Sequence, residues 1–250
     1  MANIGIVRSI TQIGKYEPFE LQVSRGQITG HETVNVFGFA TAVSSSFVAV
    51  WEVNAAYVFP TVASTMLLSS SSASDTAVTV QINGLDASYN RISENITANG
   101  TAGVATTKVF WRINSVITVA GVALGTLYVK NAGGTTYAQV TIGNGRTNMS
   151  VYTVSAGHSF FLKQTDAWSS ASVTSGTFAT YRTLVVSSTG ISNIVLQAPF
   201  LNQMGIERPL PTYFPEKVDI QFQCKSSGAG LNIGTLAIGI LVQDFITGTS

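Results

Sequence analysis

The feature that most constrains the fold is a run of alternating side chains and turns over Thr135–Leu162. In Tyr137–Ile142, polar and apolar residues alternate, which is the period of a half-buried β-strand. Gly143-Asn144-Gly145 then ends the strand with residues that tolerate positive φ. Two more strands are predicted at about Met149–Val154 and Ser159–Lys163. This spacing predicts a meander of three antiparallel strands within an all-β protein.

Most of the chain is predicted to form one large β-domain. The clearest strand, Lys217–Lys225, places Val218, Ile220, Phe222 and Cys224 on one face and polar residues on the other. Cys224 is therefore interpreted as a core residue. Counted from Val34, with residues 61–130 set aside, eight or nine strands remain, the number that a jelly roll needs. We therefore expect a jelly-roll-like antiparallel β-sandwich that begins with strands in 31–60 and continues through 131–250.

Residues 61–130 have a different sequence pattern from the rest of the chain and are predicted to form a smaller domain. Short alternating segments are separated by the turns Asn83-Gly84 and Asn99-Gly100, which is typical of a small β-sandwich. Lys108–Val119 is a long β-branched run, predicted to be one strand with Trp111 in the core. We expect an Ig-like β-sandwich block inserted into the larger domain. One continuous sandwich is the alternative.

Five residues are candidates for an assembly interface. Residues 1–30 have weak periodicity and predict an extended N-terminal arm, although an ordered strand pair fits equally well. Arg8, Lys15 and Arg25 are among five charges in this arm, a high density for this chain, and Phe19 is its aromatic candidate. Trp168, in the predicted loop 166–176, is the fifth. For Trp168, packing or a subunit contact is favoured over a ligand platform.

The low charge of the chain limits the classes of partner that it can bind. Only 10% of residues are charged, 13 basic and 12 acidic, so Ser, Thr, Asn, Gln and Gly must build much of the surface. Such a surface suits contacts with neighbouring subunits, and equally a neutral Ser- and Thr-rich β-domain. Nucleic-acid binding is disfavoured because no stretch clusters basic with aromatic residues. The apolar region Phe37–Phe59 is interrupted by Ser44-Ser45-Ser46 and Glu52, which favours two buried strands over a membrane span.

No catalytic, cofactor or metal motif is present in the sequence. The two histidines, His31 and His158, are far apart and lack ligand spacing, and there is no phosphate loop or nucleophile elbow. Two carboxylates brought together by folding are the remaining enzymatic alternative. The single cysteine excludes an internal disulfide, and the first residues lack the apolar core of a signal peptide. We predict a non-enzymatic protein that folds in a reducing cytoplasm.

Three segments resemble structural proteins of tailed bacteriophages, especially cyanophages. They are PFELQVSRGQITGHETVNVFGF at 18–39, DTAVTVQINGLDASYN at 75–90 with SEN at 93–95, and YAQVTIGNGRTNMSVYTVSAGHSFFL at 137–162. The resemblance implies a virion component made in the host cytoplasm, a cement or decoration protein on the capsid exterior. It would bind the major capsid protein and form a homotrimer. A neck, tail or fibre-adaptor protein with a receptor- or glycan-binding role is the alternative.

Overall fold

The computed structural model describes residues 17–53, 56–171, 176–228 and 230–244, and their regular structure is almost entirely β-strand. One short helix, α1 (Phe19–Ser24), precedes sixteen strands. The strands are β1 (His31–Val43), β2 (Val48–Ala49), β3 (Ser64–Ser70), β4 (Thr79–Leu85), β5 (Arg91–Thr97), β6 (Val104–Phe110), β7 (Arg112–Ala120), β8 (Leu127–Lys130), β9 (Thr136–Val140), β10 (Val151–Thr153), β11 (His158–Ser169), β12 (Ala179–Val186), β13 (Ser192–Phe200), β14 (Gln203–Phe214), β15 (Asp219–Ser226) and β16 (Leu231–Gln243). The predicted all-β class is confirmed.

The larger domain is a jelly roll. One sheet has the order β1-β16-β11-β14, and the other has β10-β15-β12-β13 with β2 also against β15. β2 and β10 lie end to end along the same edge of β15. β2 pairs with Gln223 and Cys224, and β10 pairs with Asp219–Gln221. Counted as one strand, they give eight antiparallel strands in the orders 1-8-3-6 and 2-7-4-5, two Greek keys. The second jelly-roll strand is therefore divided by an insertion.

The inserted domain is a sandwich of seven strands, with sheet orders β6-β3-β8-β9 and β5-β4-β7. Its core includes Met66, Leu68, Ile82 and Phe110, all fully buried. An immunoglobulin domain also has seven strands, but in a different order. The structure extends this sandwich to Val140, past the predicted boundary at residue 130, because β9 pairs with β8.

The predicted meander is wrong in its pairing, although its three strands exist. β9 pairs with β8 in the inserted sandwich, β10 pairs with β15, and β11 pairs with β14 and β16. The chain changes sheet between β10 and β11, so these strands lie in opposite sheets of the jelly roll. Tyr152 and Phe160 accordingly pack with their ring centroids 5.3 Å apart. Alternation shows which side chains turn inward, but not which strand lies alongside.

The long strand predicted over Lys108–Val119 is also wrong, because the chain divides there into β6 and β7, which belong to different sheets. Trp111 lies at the crossing. Its indole N–H donates a hydrogen bond to the Pro60 carbonyl at 2.9 Å, and the side chain is only partly buried. A β-branched run favours strand at every position, so it does not reveal where a strand ends.

Part of the predicted extended arm is helical. The N–H groups of Leu21 and Gln22 donate to the Pro18 carbonyl, which begins α1, and proline suits this position because its φ is already near the helical value. Phe19 and Val23 are four residues apart and share a face of the helix, and Val23 is buried. Two candidate arm residues, Arg8 and Lys15, lie outside the described residues.

Candidate assembly surface

Helix α1 lies on the outer face of the sheet β1-β16-β11-β14. The Phe19 ring meets the His31 ring edge to face, with centroids 5.6 Å apart, at the start of β1. Glu20 forms an ion pair with Lys163, whose neighbour Leu162 points into the core. Together these contacts hold the helix over β1 and β11. Phe19 and Leu21 remain 43% and 50% exposed, so the helix presents apolar side chains to solvent.

Strand β14 carries a bulge directly beside Lys163. Glu207 pairs with Gln164 and Thr212 pairs with Leu162, so residues 208–211 of β14 face only one residue of β11. Two of the four are prolines, which have no N–H to give to a ladder. Between them, Leu210 is 88% exposed. The sequence Pro-Leu-Pro therefore holds a leucine out from the sheet.

Hydrogen bonding and ring packing fix both ends of this bulge. The Arg208 guanidinium donates to the Thr165 hydroxyl at 3.0 Å, and Thr165 is fully buried. Beyond the bulge, the rings of Tyr213 and Phe161 pack at 5.6 Å on the outer face, and Tyr213 is 55% exposed. A side chain whose backbone is already fixed loses less conformational freedom when a partner covers it. Leu210 is thus suited to anchor a protein contact.

Lys163 joins these features into one surface, because it pairs with α1 and faces the bulge. Neighbouring strands are separated by about 5 Å, so the helix and the bulge are adjacent. We call this the assembly surface and define it by its exposed apolar side chains, Phe19, Leu21, Leu210 and Tyr213. These apolar side chains flank the Glu20–Lys163 ion pair, so the surface combines apolar anchors with polar groups, as protein interfaces do.

Strand β13 adds an open sheet edge on the same flank. It is the edge strand of β10-β15-β12-β13, and the two residues 201 and 202 connect it to β14, the edge of the other sheet. β13 contains no charged residue, and Ile194 and Val195 are both exposed at a bulge, where Leu184 pairs with Ile194 and Thr183 pairs with Leu196. The bulge and Pro199 make this edge a poor template for a further strand. Exposed apolar side chains on an uncharged strand are nevertheless typical of a surface that another chain covers.

The structure brings only some of the sequence candidates to this surface. Phe19 belongs to it, and Arg25, which forms an ion pair with Glu17 at 2.9 Å, follows the end of α1. Trp168 lies in β11 rather than in the predicted loop, about 17 Å along the strand from Lys163. Its ring stacks on Phe37 and covers Gly234, where a Cβ atom would lie 2.2 Å from the indole.

Sequence reasoning did not identify Leu210, Tyr213 or β13 as candidates for an interface. Pro209 and Pro211 are visible in the sequence, but prolines at this spacing are also typical of a rigid connection between strands. In the structure they belong to a strand of twelve residues, Gln203–Phe214, which tolerates them because it is an edge. β13 mixes polar and apolar residues without clear alternation, so its sequence does not show which side chains are exposed.

The described residues include no group of three or more His, Cys, Asp or Glu side chains placed to bind a metal ion. Among them there is also no helix of the length and apolarity needed to span a membrane. Cys224 is fully buried, and burial raises the pKa of its thiol. The hydrogen bond and charge of Lys163 lower the pKa of Glu20.

Comparisons with known proteins found no match that informs on fold or function. No protein-family model matches the chain, and no curated protein sequence matches it. A solved structure titled "Structure of infectious bursal disease virus Gt strain" aligns over 91% of this chain and 78% of its own, with 9% sequence identity and a TM-score of 0.19. A TM-score this low supports no conclusion about fold or function.

Proposed function

We propose that this protein is a virion structural protein of a tailed phage, a cement or decoration protein that binds the major capsid protein on the outside of the head. The observation that carries the proposal is the uncharged β13 edge beside the Pro-Leu-Pro bulge, on one flank of a jelly roll. Leu210, Ile194 and Val195 on this flank all remain exposed. The resemblance to phage structural proteins supplies the particle as the partner.

Two parts of the assembly surface have different roles in this proposal. The flank formed by β13 and β14 joins copies of the chain into a trimer on the capsid exterior. The segment 1–30, which contains α1, binds the coat protein. A cement protein that bridges coat subunits stabilises the shell by mass action, because it binds the assembled state and not the separated one. Many identical weak contacts around the shell add through multivalency.

Copy number tests the proposal most directly. Quantitative mass spectrometry of purified particles would compare this chain with the major capsid protein. A count similar to that of the coat protein is expected for a cement or decoration protein. A count of only a few copies would contradict it and assign the chain to the neck, the tail or a fibre adaptor.

Removing the arm tests the division of roles. A chain without residues 1–30 should keep its sandwiches, because within α1 only Val23 is buried. It should still form trimers but fail to bind particles that lack the native protein. A matched Leu210→Ser variant should show the opposite pattern, with weakened trimers and an intact arm. Full particle binding by the shortened chain would refute the role of the arm.

A further inference from the structure

A polar cleft lies where the jelly roll meets the inserted sandwich. It encloses about 500 Å³ and is lined by residues 32–37 of β1 on one side and by parts of β4, β5 and β7 on the other. A second hollow of about 650 Å³ shares Phe37 and Arg146 with this cleft and also includes Phe39, Asn144 and Asn148. We call the two together the polar groove. Its combined size suits a small ligand of several rings.

The groove offers unused hydrogen-bonding groups. Ser155 lines it and is only 2% exposed, yet its hydroxyl has no hydrogen-bond partner among the described residues. Asn35 and Ser93 add an amide and a hydroxyl that are both exposed. A buried hydroxyl without a partner is costly, and a ligand hydroxyl that bonds to it would remove that cost.

Arg146 is the cation that the groove leaves without a counter-ion. At one end of the groove, both carboxylate oxygens of Glu32 accept bonds from Arg91, at 2.8 and 2.9 Å. In the second hollow, Glu52 accepts hydrogen bonds from the side chains of Asn144 and Asn148. Over the part of the chain that is described, the Arg146 guanidinium makes no hydrogen bond or ion pair, and it is exposed. The groove therefore contains two cations and two carboxylates, and Arg146 is the cation whose N–H donors remain open to an anionic ligand.

Aromatic rings stand next to these polar groups. Asn35, Phe37 and Phe39 alternate along β1 and point to the same face, and Trp168 stacks against Phe37 at 5.6 Å. A sugar ring has apolar C–H faces that pack on aromatic rings, and hydroxyls that both donate and accept hydrogen bonds. We propose that the polar groove binds an oligosaccharide containing an acidic sugar, whose carboxylate pairs with Arg146. This site is independent of where the protein sits on the particle.

Titration calorimetry of the full chain tests the proposal with defined probes. Trigalacturonate and a sialylated trisaccharide carry a carboxylate on two different sugars, and maltotriose is the neutral match. At least one acidic probe should bind about tenfold more tightly than maltotriose, because an arginine–carboxylate pair is a charge-assisted bond. The probe that binds more tightly identifies a uronic or a sialic acid as the preferred sugar. Equal binding of all three would overturn the assignment of the carboxylate.

Two variants and a control locate the site. Arg146→Gln should remove the preference for acidic sugars, whereas Lys130→Gln, a cation of β8 outside the groove, should leave it unchanged. Phe39→Leu keeps apolar bulk but removes a ring, and should weaken all binding about fivefold. Circular dichroism confirms that each variant is folded. Absence of binding by the wild type at millimolar sugar, or an unchanged preference in Arg146→Gln, would overturn the proposal.

Discussion

The interface between the two sandwiches and the flank of the jelly roll differ in charge. The interface buries an ion pair, whereas β13 on the flank carries no charge. At the domain interface, Arg112 of β7 holds Asp219 of β15 through two hydrogen bonds of 2.8 and 2.9 Å, and both side chains are more than 90% buried. Asp219 also accepts a bond from the Thr153 hydroxyl at 2.6 Å. The flank, by contrast, presents β13 without a single charged residue and with Ile194 and Val195 exposed.

Under the proposed assembly, the difference reflects when each surface is covered. The domain interface forms within one chain, so every partner of a buried charge is present as the protein folds. Arg112 also donates to the Pro60 carbonyl at 2.9 Å and lies over the Phe59 ring at 5.0 Å, so its polar groups are satisfied. A surface that meets its partner later is safer without charges, because an unpaired charge that loses its water costs several kcal/mol. β13 follows that rule, whereas β14 carries Glu207 and Arg208.

The largest effect is expected from breaking the pair at the domain interface. Arg112→Ala would leave Asp219 buried without a counter-charge and should lower the free energy of unfolding by about 3 to 5 kcal/mol. Chemical denaturation measures this loss. The double variant Arg112→Met with Asp219→Leu removes both charges and should be much less destabilised. A loss below about 1 kcal/mol in Arg112→Ala would mean that water reaches the interface.

A second large effect is expected within the inserted sandwich, where a buried carboxylate has no counter-charge among the described residues. Asp75 is 1% exposed and accepts hydrogen bonds from the Ser70 hydroxyl and from the N–H groups of Leu124 and Gly125. Asp75→Ala would leave these donors without a partner and should cost about 3 kcal/mol, measured by denaturation. Asp75→Asn retains one acceptor oxygen and should cost less. Equal losses in the two variants would contradict this account.

The same carboxylate should make stability depend on pH. Burial alone would raise the pKa of Asp75, but the three hydrogen bonds outweigh it and hold the pKa below its ordinary value of 3.8. The ionised form therefore stabilises the fold above about pH 4, and this stabilisation is lost as the pH falls through the lower, folded-state pKa. As the pH falls from about 5 to about 2, the free energies of unfolding of wild type and Asp75→Asn, measured by denaturation, should converge. A constant difference in the free energy of unfolding across this pH range would exclude this role.

Alternation along the sequence predicted the all-β class, because it reports which side chains turn inward. The predicted eight or nine jelly-roll strands include the observed number, but they count β9, which belongs to the inserted sandwich, and omit β14. Alternation correctly assigned Phe222 and Cys224 of β15 to the core. It did not show that the polar face of the same strand is also buried, where Asp219, Gln221 and Gln223 are each 7% exposed. Arg112 of the inserted sandwich covers Asp219, and Arg182 of β12 donates to Gln223. Arg112 and Asp219 are 107 positions apart, and no local pattern joins them.

A smaller effect on folding, with a clear effect on assembly, is expected at the flank. Leu210→Ser should change the free energy of unfolding by less than about 0.5 kcal/mol, because the side chain is 88% exposed. If Leu210 anchors a subunit contact, the same change should weaken self-association at least tenfold, measured by analytical ultracentrifugation. Val122→Ser is the matched control, since Val122 is 83% exposed on the inserted sandwich. Equal association of both variants would exclude Leu210 as an anchor.

The smallest effect is expected at Cys224, which lies in the jelly-roll core on the side of β15 away from the domain interface. The residue is fully buried and burial raises the pKa of its thiol, so both access and thiolate formation are suppressed. The native protein should not react with Ellman's reagent within hours, whereas the protein in denaturant should release one equivalent of product per chain. Arg112→Ala should react measurably faster than wild type, because loss of the interface exposes β15 on one face and favours its opening. Equal, slow reaction in both would show that the jelly-roll core keeps β15 closed without help from the inserted sandwich.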